Sequence, residues 1–352
     1  MIPHNRPTLG LEEQRAADRV LASGWIAQGR EVEAFENELC GYLGLPERHA
    51  VAVSSGTAAL FLALWVLDAQ GSAVACPAYA CSALVNAIRL AGADPHFVDT
   101  AADSPNIDPS KLARATAGFS IVAHMFGMPV DISAATKNGV VVIEDCAQAL
   151  GASFAGAPVG VNGKVGIFSF YATKMITSGG QGGMLVSRDR GLADAARDYR
   201  QFDGRHDRKP RFNFQMTDLQ AAIGRVQLRK LPGFVARRDE IFARYRAAGF
   251  DLLDEKTRGV PVRYRSIVRT QSPRAIIDKL AQYDIKAIVP VEDWELLGPV
   301  DQYPNAAALT RTAVSLPTYP SLSDEELSRI IEVLGNDTVL QENRAGSKWG
   351  RG

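Results

Sequence analysis

Cysteine is scarce in this chain. The 352 residues hold four, Cys40, Cys76, Cys81 and Cys146. No two form a C-x-x-C pair and none has a zinc spacing, which excludes the common redox and zinc motifs, and no metal is expected. In a reducing cytoplasm four such residues are expected to be small, buried, free thiols. An excess of charge of one sign is also lacking. Lysine plus arginine number 39, as do aspartate plus glutamate. A nucleic-acid or anionic-membrane surface is therefore not expected. No long run is uniformly apolar, which excludes a membrane-spanning helix. The opening "MIPHNRPTLGLEEQ" has no apolar signal core, so the expected location is cytoplasmic. Internal repeats and low-complexity segments are missing as well.

What is present is a chain with 46% apolar and 22% charged residues, the proportions of a globular protein. Its length exceeds one ordinary core, so one large domain with a smaller one is expected. Helical pattern fills about residues 11–43, broken by "SGWIAQG" at Ser23–Gly29. Short apolar runs then alternate with helices. "AVAVSS" runs into Gly56 and the helix "TAALFLALWVL", "SAVACP" ends at Pro77, and "ALVNAIRLAG" ends at Gly92. "DPHFVDT", "FSIVAHMFG", "GVVVIEDCAQ", "KVGIFSFYATK" and "GGMLVSR" continue the pattern. This predicts an α/β fold with a mostly parallel sheet. A long amphipathic helical stretch follows, interrupted at Pro232–Gly233. The expected division is a large α/β domain over 1–232, a smaller α+β domain over 233–340, and a tail at 341–352 that frays. The N-terminal segment is expected to pack on the smaller domain. Ser323 followed by Glu326 is a capping-box pattern opening the last helix.

Three stretches could carry chemistry. In "SSGTAAL" a strand, Gly56 and a helix present backbone N–H groups to an anion, with the Ser55 and Thr57 hydroxyls beside them. Taken alone, the motif reads better as an ordinary capped strand-to-helix turn. In "VVVIEDCAQ" a buried strand ends in Glu144 and Asp145, where open parallel sheets bind ligands. An acid there needs a cationic partner, such as a protonated ring nitrogen, or else it caps a helix. Gln148 follows at a spacing that puts it beside Asp145 if the chain turns helically. In "FSFYATKMITSGGQGGML" Lys174 stands between an aromatic–serine cluster, with Ser169 five residues before it, and a loop of four glycines. A lysine shielded from water is partly neutral and nucleophilic, and forms a Schiff base. Read singly, it is a surface lysine before a flexible loop. Together the three pieces are a phosphate cradle, an acid for a pyridinium nitrogen and a Schiff-base lysine, the set that pyridoxal phosphate (PLP) needs.

With these motifs in this order, the chain resembles the DegT/DnrJ/StrS family of fold-type-I PLP enzymes, typified by nucleotide-sugar aminotransferases. The resemblance covers nearly the whole chain and includes "SGWIAQGREVEAFENELCGYLG", "AHMFGMPVD", "IEDCAQALGA", "GIFSFYATKMITSGGQGG", "RFNFQMTDLQAAIGRVQLRKL" and "SLPTYPSLSDEE". It implies a large, mostly parallel sheet domain and a smaller α+β domain. It implies that Lys174 forms the Schiff base, Asp145 pairs with the pyridine nitrogen and Gln148 lies near the ring hydroxyl. Gly56, Thr57 and Ser169, with Ser55, would hold the phosphate. Asn213 would reach the phosphate of a neighbouring subunit, which implies a homodimer with shared active sites. Trp25 is a substrate candidate near the entrance, and Tyr79 and His124 are further substrate candidates. His124 matches a family position and reads equally as a packed strand-end histidine. The implied reaction moves an amino group from an amino acid, most often L-glutamate, to a keto-sugar on a nucleotide carrier. The same chemistry on a free cyclitol or small ketone, or a PLP-dependent sugar dehydration, is the alternative. The dehydratases have histidine in place of the lysine that is kept here.

The chain departs from the family pattern at several positions. Cys81 stands where many members have an aromatic residue over the cofactor ring, so either a sulfur contact or nearby Tyr79 covers it. Gln215 replaces an arginine, Gln181 replaces a glutamate, and "IVPVEDWELLG" lacks a histidine. The loop "GRHDRKPRF" is basic enough to meet a nucleotide diphosphate, and reads equally as a solvated loop.

Overall fold

A computed structural model describes residues 1–114, 117–254 and 258–335. Two helices open the chain, α1 (Leu11–Ser23) and α2 (Arg30–Leu43), parted by the predicted break. Strands and helices then alternate through β1 (Ala50–Val53), α3 (Gly56–Val66), β2 (Ala73–Pro77), α4 (Ala83–Leu90), β3 (Asp94–Val98), α5 (Pro109–Ala113), β4 (Phe119–Ala123), α6 (Ser133–Lys137) and β5 (Val141–Asp145). The short β6 (Ser153–Phe154) and β7 (Ala157–Pro158) lead to β8 (Val165–Ser169), β9 (Gly183–Val186), α7 (Arg190–Arg200) and α8 (Asp218–Ala247). The chain closes with β10 (Gly259–Val260), β11 (Ser266–Arg269), α9 (Pro273–Ala281), α10 (Pro304–Thr312), β12 (Ala313–Leu316) and α11 (Asp324–Gly335).

The main sheet has seven strands in the order β1-β9-β8-β5-β4-β2-β3. All neighbours are parallel except at β9, which runs against both β8 and β1. The fold is thus α/β with a mixed, mostly parallel sheet. Side chains alternate between its faces. Ala50, Ala52, Phe168, Phe170, Met184 and Val186 join α2 and α8 in one core cluster. Val51, Val53, Ile143, Val165, Ile167 and Leu185 join α3 and α4 in the other. With both faces covered, the central strands need apolar residues at every position, and this is why they read as unbroken apolar runs. α3 is likewise apolar almost all round because it is buried almost all round.

A second cluster of elements is built on the antiparallel pair β11–β12, packed by α9, α11 and the C-terminal half of α8. Ile2 is buried in it and bridges to Ile285. The capping box at Ser323 forms as predicted, with Ser323 N–H donating to Glu326 and Glu326 N–H donating to the Ser323 hydroxyl. The tail at 341–352 lies outside the described residues.

The predicted interruption at Pro232–Gly233 does not occur. α8 runs through both residues as one helix of 30 residues. An internal proline removes one backbone hydrogen bond and crowds the preceding turn. Here packing outweighs that cost. Leu228, Leu231 and Phe234 bury against the sheet cluster, and Ile241, Phe242 and Tyr245 bury in the second cluster. Among the described residues no helix is long and apolar enough to cross a membrane.

Candidate active site

β1, β2, β4, β5 and β8 all point the same way, and a cavity of about 220 Å³ opens beyond their carboxyl ends. Its walls come from five strand-end segments that are far apart in sequence: Ser55–Thr57, Ala80–Cys81, Ala123–Met125, Asp145–Gln148 and Ser169–Lys174. Gln181 closes one side. The ends of parallel strands are where an open α/β sheet leaves room for a ligand.

Asp145 is the last residue of β5 and is buried. Burial pushes its carboxyl above the usual aspartate value, and the N–H of Ala147 at 2.9 Å together with the charge of Lys174 offsets only part of this. Gln148 lines the same cavity, its side-chain oxygen accepting from the N–H of Phe126 at 2.8 Å. Glu144, one residue earlier, takes a different course. Its Oε1 accepts from the N–H groups of Asn162 and Gly163, and its Oε2 faces His124 Nε2 at 3.1 Å. Burial would raise this acid, but the hydrogen bond and charge of His124 and the backbone donors hold it below the usual range. His124 Nδ1 accepts from the N–H of Val130 at 3.0 Å, so Nε2 carries the proton that Glu144 receives. His124 is therefore a packed strand-end histidine that also edges the cavity.

Opposite these acids is the strand-to-helix turn of α3. Ser55 caps the helix, its hydroxyl accepting from the N–H of Ala58. The first N–H groups of a helix have no partner within it, which leaves this turn open to an anion. Gly56 lies directly against Ser169, and a Cβ on Gly56 would stand 2.8 Å from the Ser169 Cβ. A Cβ on Gly183 would stand 2.3 Å from the Ser55 carbonyl oxygen. The glycines thus keep bare a cradle that also holds the Ser55, Thr57 and Ser169 hydroxyls. Lys174 follows on the turn after β8 and lines the cavity, its Nζ 5.7 Å from the centroid of the Tyr264 ring.

Other candidates fall elsewhere. Cys81 is exposed on the cavity wall, whereas the other three cysteines are buried. Burial was the expectation for all four. Cys81 escapes it because it sits where the chain leaves β2 at the mouth of the site. Tyr79 is fully buried two residues earlier, packed edge-on against Phe126, and is not part of the lining. Trp25 is 62% exposed and donates through Nε1 to the Gln28 carbonyl, away from this cavity. Asn213 is exposed and accepts from the N–H of Gln215, outside the cavity of its own chain. In the basic loop Arg205 and Arg211 are both paired to Asp207 and to Asp198 of α7, while Arg208 and Lys209 are exposed. Tyr264 lies 90 positions after Lys174, and only a bare aromatic between two arginines marks it in the sequence.

This arrangement can be set against known proteins. The family model described as DegT/DnrJ/EryC1/StrS aminotransferase family matches residues 7–335. The chain belongs to that family. The aminotransferase is 31% identical to the spore coat polysaccharide biosynthesis protein SpsC of Bacillus subtilis, covering 95% of this chain and 96% of that protein. Its fold matches the aminotransferase TlmJ of Streptoalloteichus hindustanus with a TM-score of 0.86 and 30% identity, over 95% of this chain and 98% of that one. It matches the PLP-form of Spr1654 from Streptococcus pneumoniae with a TM-score of 0.87 and 27% identity, over 97% and 99%. The aminotransferase is PLP-dependent, and the residues present fit that cofactor. A bare glycine cradle with three hydroxyls suits a phosphate, a buried acid suits a protonated ring nitrogen, and a lysine stands in the same cavity.

Proposed function

We propose that the protein transfers an amino group from an amino acid, with L-glutamate the expected donor, to the keto group of a nucleotide-linked sugar. The observation that carries this reading is the convergence of Lys174, Asp145 and the Gly56–Ser169 cradle on one cavity. The sugar part rests on relatives such as SpsC, whose name ties it to polysaccharide synthesis. When bound, PLP supplies an electron sink for the carbon that gains or loses the amino group. With the cofactor bound, the Lys174 amine would take the proton from the donor Cα and return one to the acceptor carbon. Asp145 would keep a proton on the ring nitrogen, since its burial makes a cationic partner favourable. Gly56, Thr57, Ser55 and Ser169 would hold the phosphate, with Gln148 and Cys81 on the cavity walls as further contacts to the cofactor. Asn213, exposed and outside its own cavity, completes the site of a second copy in a homodimer working in the cytoplasm. His124 edges the cavity as a substrate contact in this reading, while Tyr79 and Trp25 lie outside its lining.

The test is the absorbance of the protein loaded with PLP, before and after L-glutamate. A yellow band that bleaches, and is missing in Lys174→Ala, is expected. Turnover by Lys174→Ala at an unchanged kcat would overturn the assignment.

A further inference from the structure

Lys174 has a second set of neighbours on the side away from the cradle. It lines both the main cavity and a recess of about 10 Å³ walled by Arg6, Gln227 and Arg238. Tyr264 is 3% exposed, and three cations face its ring: Lys174 Nζ at 5.7 Å, Arg238 at 5.9 Å and Arg265 at 5.4 Å from the centroid. The side chain of Thr173, the residue before the lysine, lies close enough to the Tyr264 phenol to help lower its pKa. The Thr173 carbonyl is held in turn by the Asn5 side chain at 3.1 Å. Both grips are anchored at their far ends. Arg238 donates to the Tyr264 and Thr318 carbonyls, while Ile2 exchanges backbone hydrogen bonds around Ile285, with the Asp284 carbonyl and the Lys286 N–H. His4, between them, meets Arg265 and Ser315. The turn carrying the lysine is thus held from outside the main sheet, by residues from the far ends of the chain.

We propose that Tyr264 is a positioning residue for Lys174, acting through the cation–ring contact and through Thr173, with Asn5 holding the same turn by its backbone. This rests on the reading of Lys174 as the reacting amine. A ring face attracts an ammonium group and fixes where it rests. A reacting group misplaced by about 1 Å loses on the order of 100-fold in rate. Burial by itself would raise the pKa of this phenol, yet the charges of Lys174, Arg265 and Arg238, with Thr173, bring it below the ordinary tyrosine value. The charged and titratable groups around the phenol are those three cations, with His4 behind Arg265.

Two measurements test this. In cofactor-free protein labelled with carbon-13 at the tyrosine ζ position, the Tyr264 resonance is identified by its loss in Tyr264→Phe. It is expected to titrate below free tyrosine and to move upward in Lys174→Gln. A titration indifferent to Lys174→Gln would overturn the contact whatever the enzyme's reaction proves to be. In the loaded enzyme, Tyr264→Phe, which keeps the ring and its packing, is expected to lower kcat about tenfold and shift the pH profile, with KM for the amino donor held within about twofold. Asn5→Ala is expected to lower kcat without moving the Tyr264 titration. Wild-type kcat and pH profile in both Tyr264→Phe, which removes the hydroxyl, and Tyr264→Leu, which also removes the ring, would overturn the positioning role. Failure of the parent reading would show separately, as turnover by Lys174→Ala.

Discussion

Arg200 of α7 and Glu36 of α2 meet behind the outer edge of β1, both 5% exposed. Each also holds one backbone group of the same strand residue. Glu36 accepts from the Ala52 N–H at 2.8 Å, and Arg200 donates to the Ala52 carbonyl at 2.7 Å. β1 is the last strand of the sheet, and its outer edge would otherwise present unpaired groups. The ion pair stands in for the missing neighbour strand. Arg200→Ala orphans the Ala52 carbonyl and leaves the buried Glu36 carboxylate only Arg197, at 3.9 Å, and is expected to cost about 3 kcal/mol. A urea melt of the variant beside the wild type measures it.

Asp145→Asn is expected to stabilise the cofactor-free protein at neutral pH while abolishing amino transfer. The folded-state pKa of Asp145 is raised above 3.8, so its stabilising contribution is complete below that value and is lost as pH rises. Asparagine carries no such loss. Urea midpoints should differ at pH 7 and converge in acid, where the wild-type carboxyl is protonated.

Gly56→Ala places a methyl group 2.8 Å from the Ser169 Cβ and 3.1 Å from its hydroxyl. Something must shift, and the shift falls on the cradle. Affinity for PLP is expected to drop on the order of 10–100-fold, read by fluorescence titration, as expected when a fitted contact worth about 1.4–2.8 kcal/mol is lost. Ser169→Gly, added to Gly56→Ala, removes the closest clash, so the two changes are expected to be non-additive.

Pro232→Ala is expected to stabilise the fold by about 1–2 kcal/mol. It restores a helical N–H at an exposed position, against a smaller penalty for freeing the unfolded chain. A thermal melt reads the change as a higher Tm.

Much of this site can be read from the sequence, and the reason is physical. Strands buried on both faces must be apolar throughout, so the polar residue ending each run marks the rim of the sheet. Asp145, Ser169 and Ser55 are found that way. The direction of β9 is not legible, because "GMLV" is equally apolar in either sense. Nor is the continuity of α8, because proline is a local signal and the packing that overrides it comes from both ends of a long helix. Glu144 and Asp145 look interchangeable in sequence, yet strand alternation gives one to His124 and the other to the cavity. Tyr264 and Asn5 reach Lys174 across gaps of 90 and 169 positions, and no local pattern encodes such a meeting.

α8 has a mechanical consequence. Thirty helical residues make a strut of about 45 Å, its two halves embedded in different clusters. Arg238, one of the cations at Tyr264, rides on that strut six residues beyond the one position that lacks a helical N–H. Any flexing between the two clusters would concentrate at Pro232 and be felt at the lysine. The substitution that stiffens this joint is thus the one to watch for a thermostable enzyme that turns over more slowly.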